Sequence, residues 1–352
     1  MTSLILAFAV VLAVGFTSVP TEAAARGASL VVDAGTGRTL QATHADTPHK
    51  PASLTKMMTL YLLFDQLERG KMTMSTRMRV SKRAASMPPT KLGLPPGSRI
   101  TVREAILALV TKSANDVAVV VAEAISGSET AFAQRMTRKA RALGMRRTTF
   151  GNASGLPNSR QKTTARDMAT LARALLRDHP RFYPMFSTRV FVHRTGRHRN
   201  HNGLLFTYRG VDGLKTGFTH AAGYNLVASA KRGPTRLIGV VLGAPTSAVR
   251  ARKMTTLLDD GFRKASATRV VTAKSTVKKS SVTKSRSHAS RSVRTAKRGS
   301  KVASSRRSRS KVVVTAAPPR PKSKAAPSQS RQEVMLSPPS SRPRRAATGP
   351  SG

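Results

Sequence analysis

Three short groups of residues in this chain could do chemistry, and each depends on spacing. Ser53-Leu54-Thr55-Lys56 follows Pro51-Ala52 at the start of an apolar run. On a helix the i, i+3 interval places Ser53 and Lys56 one turn apart on the same face. Partial positive charge at the helix N-terminus favours anionic oxygen near Ser53. A lysine held partly desolvated beside another cation gives up its proton more readily and can serve as a base. The second group is Ser113-Ala114-Asn115, and the third is Lys215-Thr216-Gly217 within Asp212–Thr219. Gly217 lets a backbone or a ligand approach closely, while Lys215 and Thr216 offer a charge and a hydroxyl to a carboxylate. Alone, each group has an ordinary reading: a capping serine before a surface lysine, an Asn115-Asp116 helix cap, and a glycine-punctuated edge strand.

The elements that must position these groups can be read coarsely. Ser29–Val32 and Thr39–Ala42 flank Asp33-Ala34-Gly35-Thr36-Gly37 and predict a hairpin. Ser53–Arg69, stopped by Gly70, has helical spacing. Met87–Gly97 carries four prolines and two glycines and predicts a loop. Helices are expected at Val102–Val110, Asn115–Ile125, Glu129–Leu143 and Ala165–Arg177, so Ser113 falls in a turn. Strands follow at Arg189–Arg194, Leu204–Tyr208, Leu226–Ala230 and Leu237–Leu242, then a helix near Ser247–Phe262. A hairpin, a helical middle and a strand-rich end predict an α+β fold in which a helical insert faces an antiparallel sheet.

Composition narrows the function classes. The 352 residues carry 62 Lys+Arg against 15 Asp+Glu, a net charge of +47, with no Cys and no Trp. The missing cysteine excludes disulfides, thiolate zinc sites and a thiol nucleophile. Aromatics at 4% argue against a stacking platform for single-stranded nucleic acid. Residues 1–25 hold an unbroken apolar stretch from Leu4 to Phe16 and small residues at Ala23 and Ala25, which predicts a signal peptide and export. From Ala265 to Gly352 there are 22 Lys+Arg and one acid, Glu333, giving 22 − 1 = +21 with no aromatic residue. That segment is expected to be a disordered basic tail, with ordered structure stopping near Lys264. Residues 26–264 then keep 40 − 13 = +27, with enough chain for one large domain or two small ones.

Ordered along one chain, S-x-x-K, S-x-N and K-T-G are the set found in penicillin-binding proteins and class A β-lactamases. The chain resembles the serine-type D-Ala-D-Ala carboxypeptidases, the low-molecular-mass penicillin-binding proteins of peptidase family S11. The resemblance runs from about Ala28 to Phe262 and takes in Phe150-Gly151-Asn152-Ala153-Ser154-Gly155-Leu156, Thr164–Met168 and Ala222-Gly223-Tyr224-Asn225. It implies a β-lactamase/transpeptidase-like fold with a cleft between the sheet and a mainly helical subdomain. It also implies that Ser53 is the nucleophile, that Lys56 is its base and that Ser113 relays protons to the leaving amine. Asn115 would hold the substrate amide and Lys56, and Lys215 would complete the positive site. Backbone N–H groups of Ser53 and Phe218 would form the oxyanion hole. Arg250, 35 residues after Lys215, would engage the substrate carboxylate together with Thr216 and Thr219. The implied substrates are peptidoglycan stem peptides, and β-lactams are the implied covalent inhibitors. Many relatives continue into a β-rich domain and an amphipathic anchor, where this chain has its basic tail.

Three other readings use some of the same features. A β-lactamase needs rapid deacylation, which in class A enzymes uses a Glu; here no Glu occurs from Thr130 to Gln332. A D-Ala-D-Ala endopeptidase would use the same residues, and a catalytically inactive envelope-binding protein would use only the charge. Export argues against nucleic acid as the natural partner and places the protein in the bacterial periplasm or envelope, with the tail as a tether to anionic envelope material. His193, His198 and His201 cluster among arginines that repel a divalent ion, so neither a metal nor a cofactor is expected.

Overall fold

A computed structural model describes residues 27–285. The expected signal peptide and residues 286–352 of the basic tail lie outside the described residues. In chain order the elements begin with β1 (Ala28–Asp33), β2 (Thr39–Thr43), α1 (Lys56–Glu68), β3 (Arg77–Arg79), α2 (Lys82–Ala85) and β4 (Arg99–Thr101). The helical middle is α3 (Val102–Thr111), α4 (Asn115–Ser126), α5 (Glu129–Ala142) and α6 (Ala165–Asp178). Then come β5 (Val190–His193), β6 (Gly196–Arg199), α7 (Leu204–Thr207), β7 (Val211–Thr219), β8 (Gly223–Arg232), β9 (Thr235–Ala244) and α8 (Ser247–Ser285).

Five strands form one antiparallel sheet in the order β2-β1-β9-β8-β7, so β7 with its Lys215-Thr216-Gly217 is an edge strand. Alternating side chains divide the sheet into two apolar faces. Leu30, Val32, Val227, Ile238, Val240 and Leu242 join the core containing α1 and α6. Val31, Leu226, Ala228, Ala230, Leu237 and Val241 pack with Met254, Leu257, Leu258 and Phe262 of α8. Every residue of α1 from Lys56 to Gln66 is buried. A helix enclosed on all sides must be central, and this one carries the catalytic candidate Lys56 into the interior.

The helical middle is bounded by local chemistry. Thr101 and Glu104 make a reciprocal capping box at the start of α3, and Ser128 and Thr164 cap α5 and α6. Gly127, at φ 75°, closes α4. The loop across Met87–Gly97 is found as expected, between α2 and β4. Several elements differ from the sequence reading. Leu204–Tyr208 is not a strand: Leu204–Thr207 is a short helix, because the Asn202 side chain accepts the Leu204 N–H at 3.3 Å and turns the chain there. Asn115 is not a helix cap; Ala114 holds that position, and the Asn115 side chain is committed elsewhere. The closing helix passes both Phe262 and Lys264 and reaches Ser285. Its apolar face does end near Phe262, but no Gly or Pro from Arg263 to Ser285 stops the helix.

Candidate active site

The nucleophile candidate sits in a tight turn. Ala52–Thr55 is one 3₁₀ turn leading into α1, and Ala52, immediately before Ser53, has φ 47°. A left-handed alanine costs of order 1–3 kcal/mol and persists only where its surroundings enforce it. The enforcing contacts come from the sheet. Asn225 of β8 donates from Nδ2 to the carbonyls of Lys50 (3.0 Å) and Pro51 (3.3 Å) and accepts the Gly243 N–H at 2.9 Å. Gly217 of β7 lies against the same turn: a Cβ there would come within 3.0 Å of the Pro51 carbonyl and 3.1 Å of the Ser53 nitrogen.

Lys56 is wholly buried, and its Nζ donates three hydrogen bonds: to Ser53 Oγ at 3.0 Å, Asn115 Oδ1 at 2.8 Å and the Ser154 carbonyl at 2.6 Å. Burial pushes its pKa well below the ordinary lysine value, and the nearby Lys215 ammonium lowers it further, opposed by Asp116. Asn115 is fixed from its other end, where Nδ2 donates to the Pro88 carbonyl at 2.9 Å. Asp116 accepts the backbone N–H groups of Leu92, Gly93 and Leu94 and so ties the proline-rich loop to the second motif. Ser113 has φ 60°, and its buried Oγ has no hydrogen-bond partner among the described residues.

The third motif supplies charge. Lys215 is buried, with Nζ donating to the Thr216 carbonyl at 3.0 Å; burial and then Arg250 bring its pKa down to about 7. Arg250 is also shifted downward by burial, and its buried Nε has no hydrogen-bond partner among the described residues. A cleft of about 460 Å³ is lined by Ser53, Ser113 and Asn115 on one side and by Thr216, Gly217, Phe218, Thr219 and Arg250 on the other. Its lining contains no Asp or Glu. Glu123 and Glu129, which lie between the second and third motifs, are occupied elsewhere: Glu123 accepts from Ser81, and Glu129 pairs with Arg83. The cleft is therefore a cationic socket beside a hydroxyl in contact with a buried amine. That combination suits attack on a carbonyl next to a carboxylate.

All the residues singled out in the sequence thus converge, with Lys215 contributing to the field rather than lining the wall. Two contributors were missed. The Ser154 carbonyl receives the shortest Lys56 bond, and Glu129 Oε1 holds that segment by accepting the Ala153 N–H at 3.1 Å. The Asn152–Gly155 signature was visible, but a main-chain acceptor leaves no side-chain identity to read. His201 belongs to the cleft wall rather than to a histidine cluster. Although it reaches solvent, packing and the charges of Lys215, Lys112, Lys56 and Arg250 push its pKa down to about 4. Among the described residues no group of His, Asp and Glu could hold a metal ion.

Comparison with known proteins agrees with this arrangement. The model of the D-alanyl-D-alanine carboxypeptidase family matches residues 15–246, about two thirds of the chain. The chain belongs to this family. Among its S11 relatives, D-alanyl-D-alanine carboxypeptidase DacF of Bacillus subtilis is 38% identical over 239 residues, which cover 66% of this chain and 61% of the relative. The chain thus spans about three fifths of that relative's length. Penicillin-binding protein 5 from Haemophilus influenzae superposes with a TM-score of 0.66 at 35% identity, covering 68% of this chain and 71% of that one. Penicillin-binding protein D2 from Listeria monocytogenes, solved in an ampicillin-bound form, gives a TM-score of 0.59 at 30% identity over 67% and 96%. These likenesses show the penicillin-binding-protein fold.

Proposed function

We propose that the protein is an exported serine-type D-Ala-D-Ala carboxypeptidase that removes the terminal D-Ala from peptidoglycan pentapeptide stems. The observation that carries this reading is the 3.0 Å contact between Ser53 Oγ and the fully buried Lys56 Nζ, set in a cationic cleft. In this mechanism Lys56 first gives up a proton. As a neutral amine it keeps its N–H bonds to Asn115 Oδ1 and the Ser154 carbonyl, accepts from the Ser53 hydroxyl, and takes that hydroxyl proton as Oγ bonds to the carbonyl carbon of the penultimate D-Ala. The N–H groups of Ser53 and Phe218 receive the oxyanion. Ser113, whose hydroxyl has no hydrogen-bond partner among the described residues, passes a proton to the departing amine as the C–N bond breaks. Water then cleaves the Ser53 ester. Arg250, Lys215, Thr216 and Thr219 hold the terminal carboxylate, which distinguishes a free stem end from an internal peptide bond.

The same acylation by a β-lactam ring would leave a long-lived ester, because the released amine stays attached to the bound acyl group and holds the space a deacylating water needs. Among the described residues, moreover, no carboxylate lines the cleft to activate that water. The ampicillin-bound Listeria relative supports that reading by analogy. Export to the bacterial envelope rests on the N-terminal apolar segment; no helix among the described residues is long and apolar enough to cross a membrane. The test is D-Ala release from a soluble pentapeptide ending in D-Ala-D-Ala, beside a cross-linked stem dimer. Release from the pentapeptide and loss of release in Ser53→Ala are expected. Cleavage of the dimer alone would assign an endopeptidase instead.

A further inference from the structure

The hairpin of β5 and β6 stands outside the main sheet, packs on α3 and carries charge that the catalytic site does not use. Its register pairs Val190 with Arg199 and Val192 with Arg197, so these four side chains share one face. The opposite face, Phe191 with His198, is buried. On the outward face Val192 is 71% exposed. Arg189, Arg197 and Arg199 are exposed, and none of them is ion-paired to a carboxylate among the described residues. Arg194, at the turn, differs because it lies in the field of Glu104. No Asp or Glu occurs anywhere from His179 to Val211.

The arginines are also held in place. The guanidinium of Arg199 stacks 3.8 Å from the Phe206 ring centre, and that of Arg189 lies 5.7 Å from the same centre. Two cations ordered on one aromatic ring repel each other, and only water or an external anion can relieve that repulsion. Planar guanidinium groups fixed in this way suit bidentate carboxylate recognition and lose little freedom on binding. The strand then leads directly to the reaction centre: β6 ends at Arg199, and His201, two residues on, lines the cleft.

We propose that the outward face of this hairpin, Arg197 and Arg199 with Val190 and Val192, together with the exposed Arg189 just before β5, grips the carboxylate-bearing glycopeptide polymer whose stem enters the cleft, so that wall polymer is preferred over free peptide. This rests on the carboxypeptidase reading and extends it to the form of the substrate. The valines meet apolar parts of neighbouring stems, and the arginines meet their carboxylates.

The experiment compares the full-length protein with Arg197→Gln/Arg199→Gln, the tail being identical in both. D-Ala release is measured on purified sacculi and on a soluble pentapeptide, with sedimentation on sacculi at low and high salt. The double variant is expected to lose about three- to tenfold in kcat/KM on sacculi, the scale of two exposed charge contacts, while the pentapeptide rate stays within about twofold. Sacculus binding should fall at low salt and converge with wild type at high salt. Equal losses on both substrates, or no loss on sacculi, would overturn the proposal. So would unchanged sacculus binding alongside weakened binding to anionic phospholipid vesicles, which would make the face a membrane contact. If wild type releases D-Ala from neither substrate, the carboxypeptidase reading fails, and the sedimentation comparison still decides the hairpin.

Discussion

In the proposed mechanism Lys56 acts as a base because of where it sits. Full burial removes the water that would stabilise its ammonium, and the cation at Lys215 adds repulsion. Together these leave a neutral amine within hydrogen-bonding distance of Ser53 at a pH where an exposed lysine would be charged. Because Lys215 contributes to that depression, Lys215→Gln should let the Lys56 pKa rise. The ascending limb of the pH–acylation profile, followed with a fluorescent penicillin, should then move to higher pH. Lys215→Arg, which keeps the charge, should leave the midpoint near that of wild type; an unmoved midpoint in Lys215→Gln would rule out this coupling. Ser53, Lys56, Ser113, Asn115 and Lys215 were legible in the sequence because hydroxyl, amine and amide side chains recur in a fixed order. The Ser154 carbonyl was not, since any residue could supply it, and His201 was hidden inside a run of arginines.

Helices and strands bring these residues together at a few close contacts. The edge strand β7 must lie against the turn that carries Ser53, and Gly217 makes that approach possible. Gly217→Ala would place a methyl group 3.0 Å from the Pro51 carbonyl and push the two apart. The turn need give by only a few tenths of an ångström, so penicillin acylation should fall about three- to tenfold, less than the roughly hundredfold loss of a 1 Å misplacement at a reacting centre. The melting temperature should change little, because β7 is an edge strand. Gly155 is more constrained: at φ +85° it lies against the Ala52 carbonyl, which any Cβ there would overlap. Farther out, Glu129→Ala would leave the buried Ala153 N–H without its acceptor. That should cost about 1–3 kcal/mol of unfolding free energy by denaturant titration. It should also slow acylation, because the neighbouring Ser154 carbonyl anchors Lys56; Glu129→Gln, which retains an acceptor oxygen, should recover most of both.

At this scale the sequence was most readable where periodicity was long. The helices α3 to α6 and the paired strands β8 and β9 fall close to their expected places. Short elements were not recoverable: β3 and β4 span three residues each, too few to show alternation. Leu204–Thr207 looks apolar enough for a strand, yet an Asn side chain bends it into a helical turn. The end of α8 was misjudged because amphipathic patterning marks where packing stops and says little about where the helical backbone stops.

Across the whole molecule the charge of +47 divides unevenly in kind. The body at residues 26–264 carries +27: Arg250 lines the cleft, Lys56 and Lys215 lie buried behind it, and the β5–β6 hairpin presents a further group. Residues 265–352 carry a further +21, where charge accumulates without aromatic residues, and Glu22 in the N-terminal segment offsets one charge. If that segment tethers the enzyme to anionic envelope material, removing residues 286–352 should reduce retention on cell walls at low salt and leave penicillin acylation unchanged. Equal retention of the shortened chain would argue against a tether. The central claim is that one serine, activated by one buried lysine, carries the acyl group. It is tested most directly by incubating the full-length protein with a penicillin, then measuring intact mass and mapping the modified peptide. The account predicts a single adduct on Ser53 in wild type and none in Ser53→Ala. An adduct on any other residue, or an unmodified wild-type protein, would contradict it.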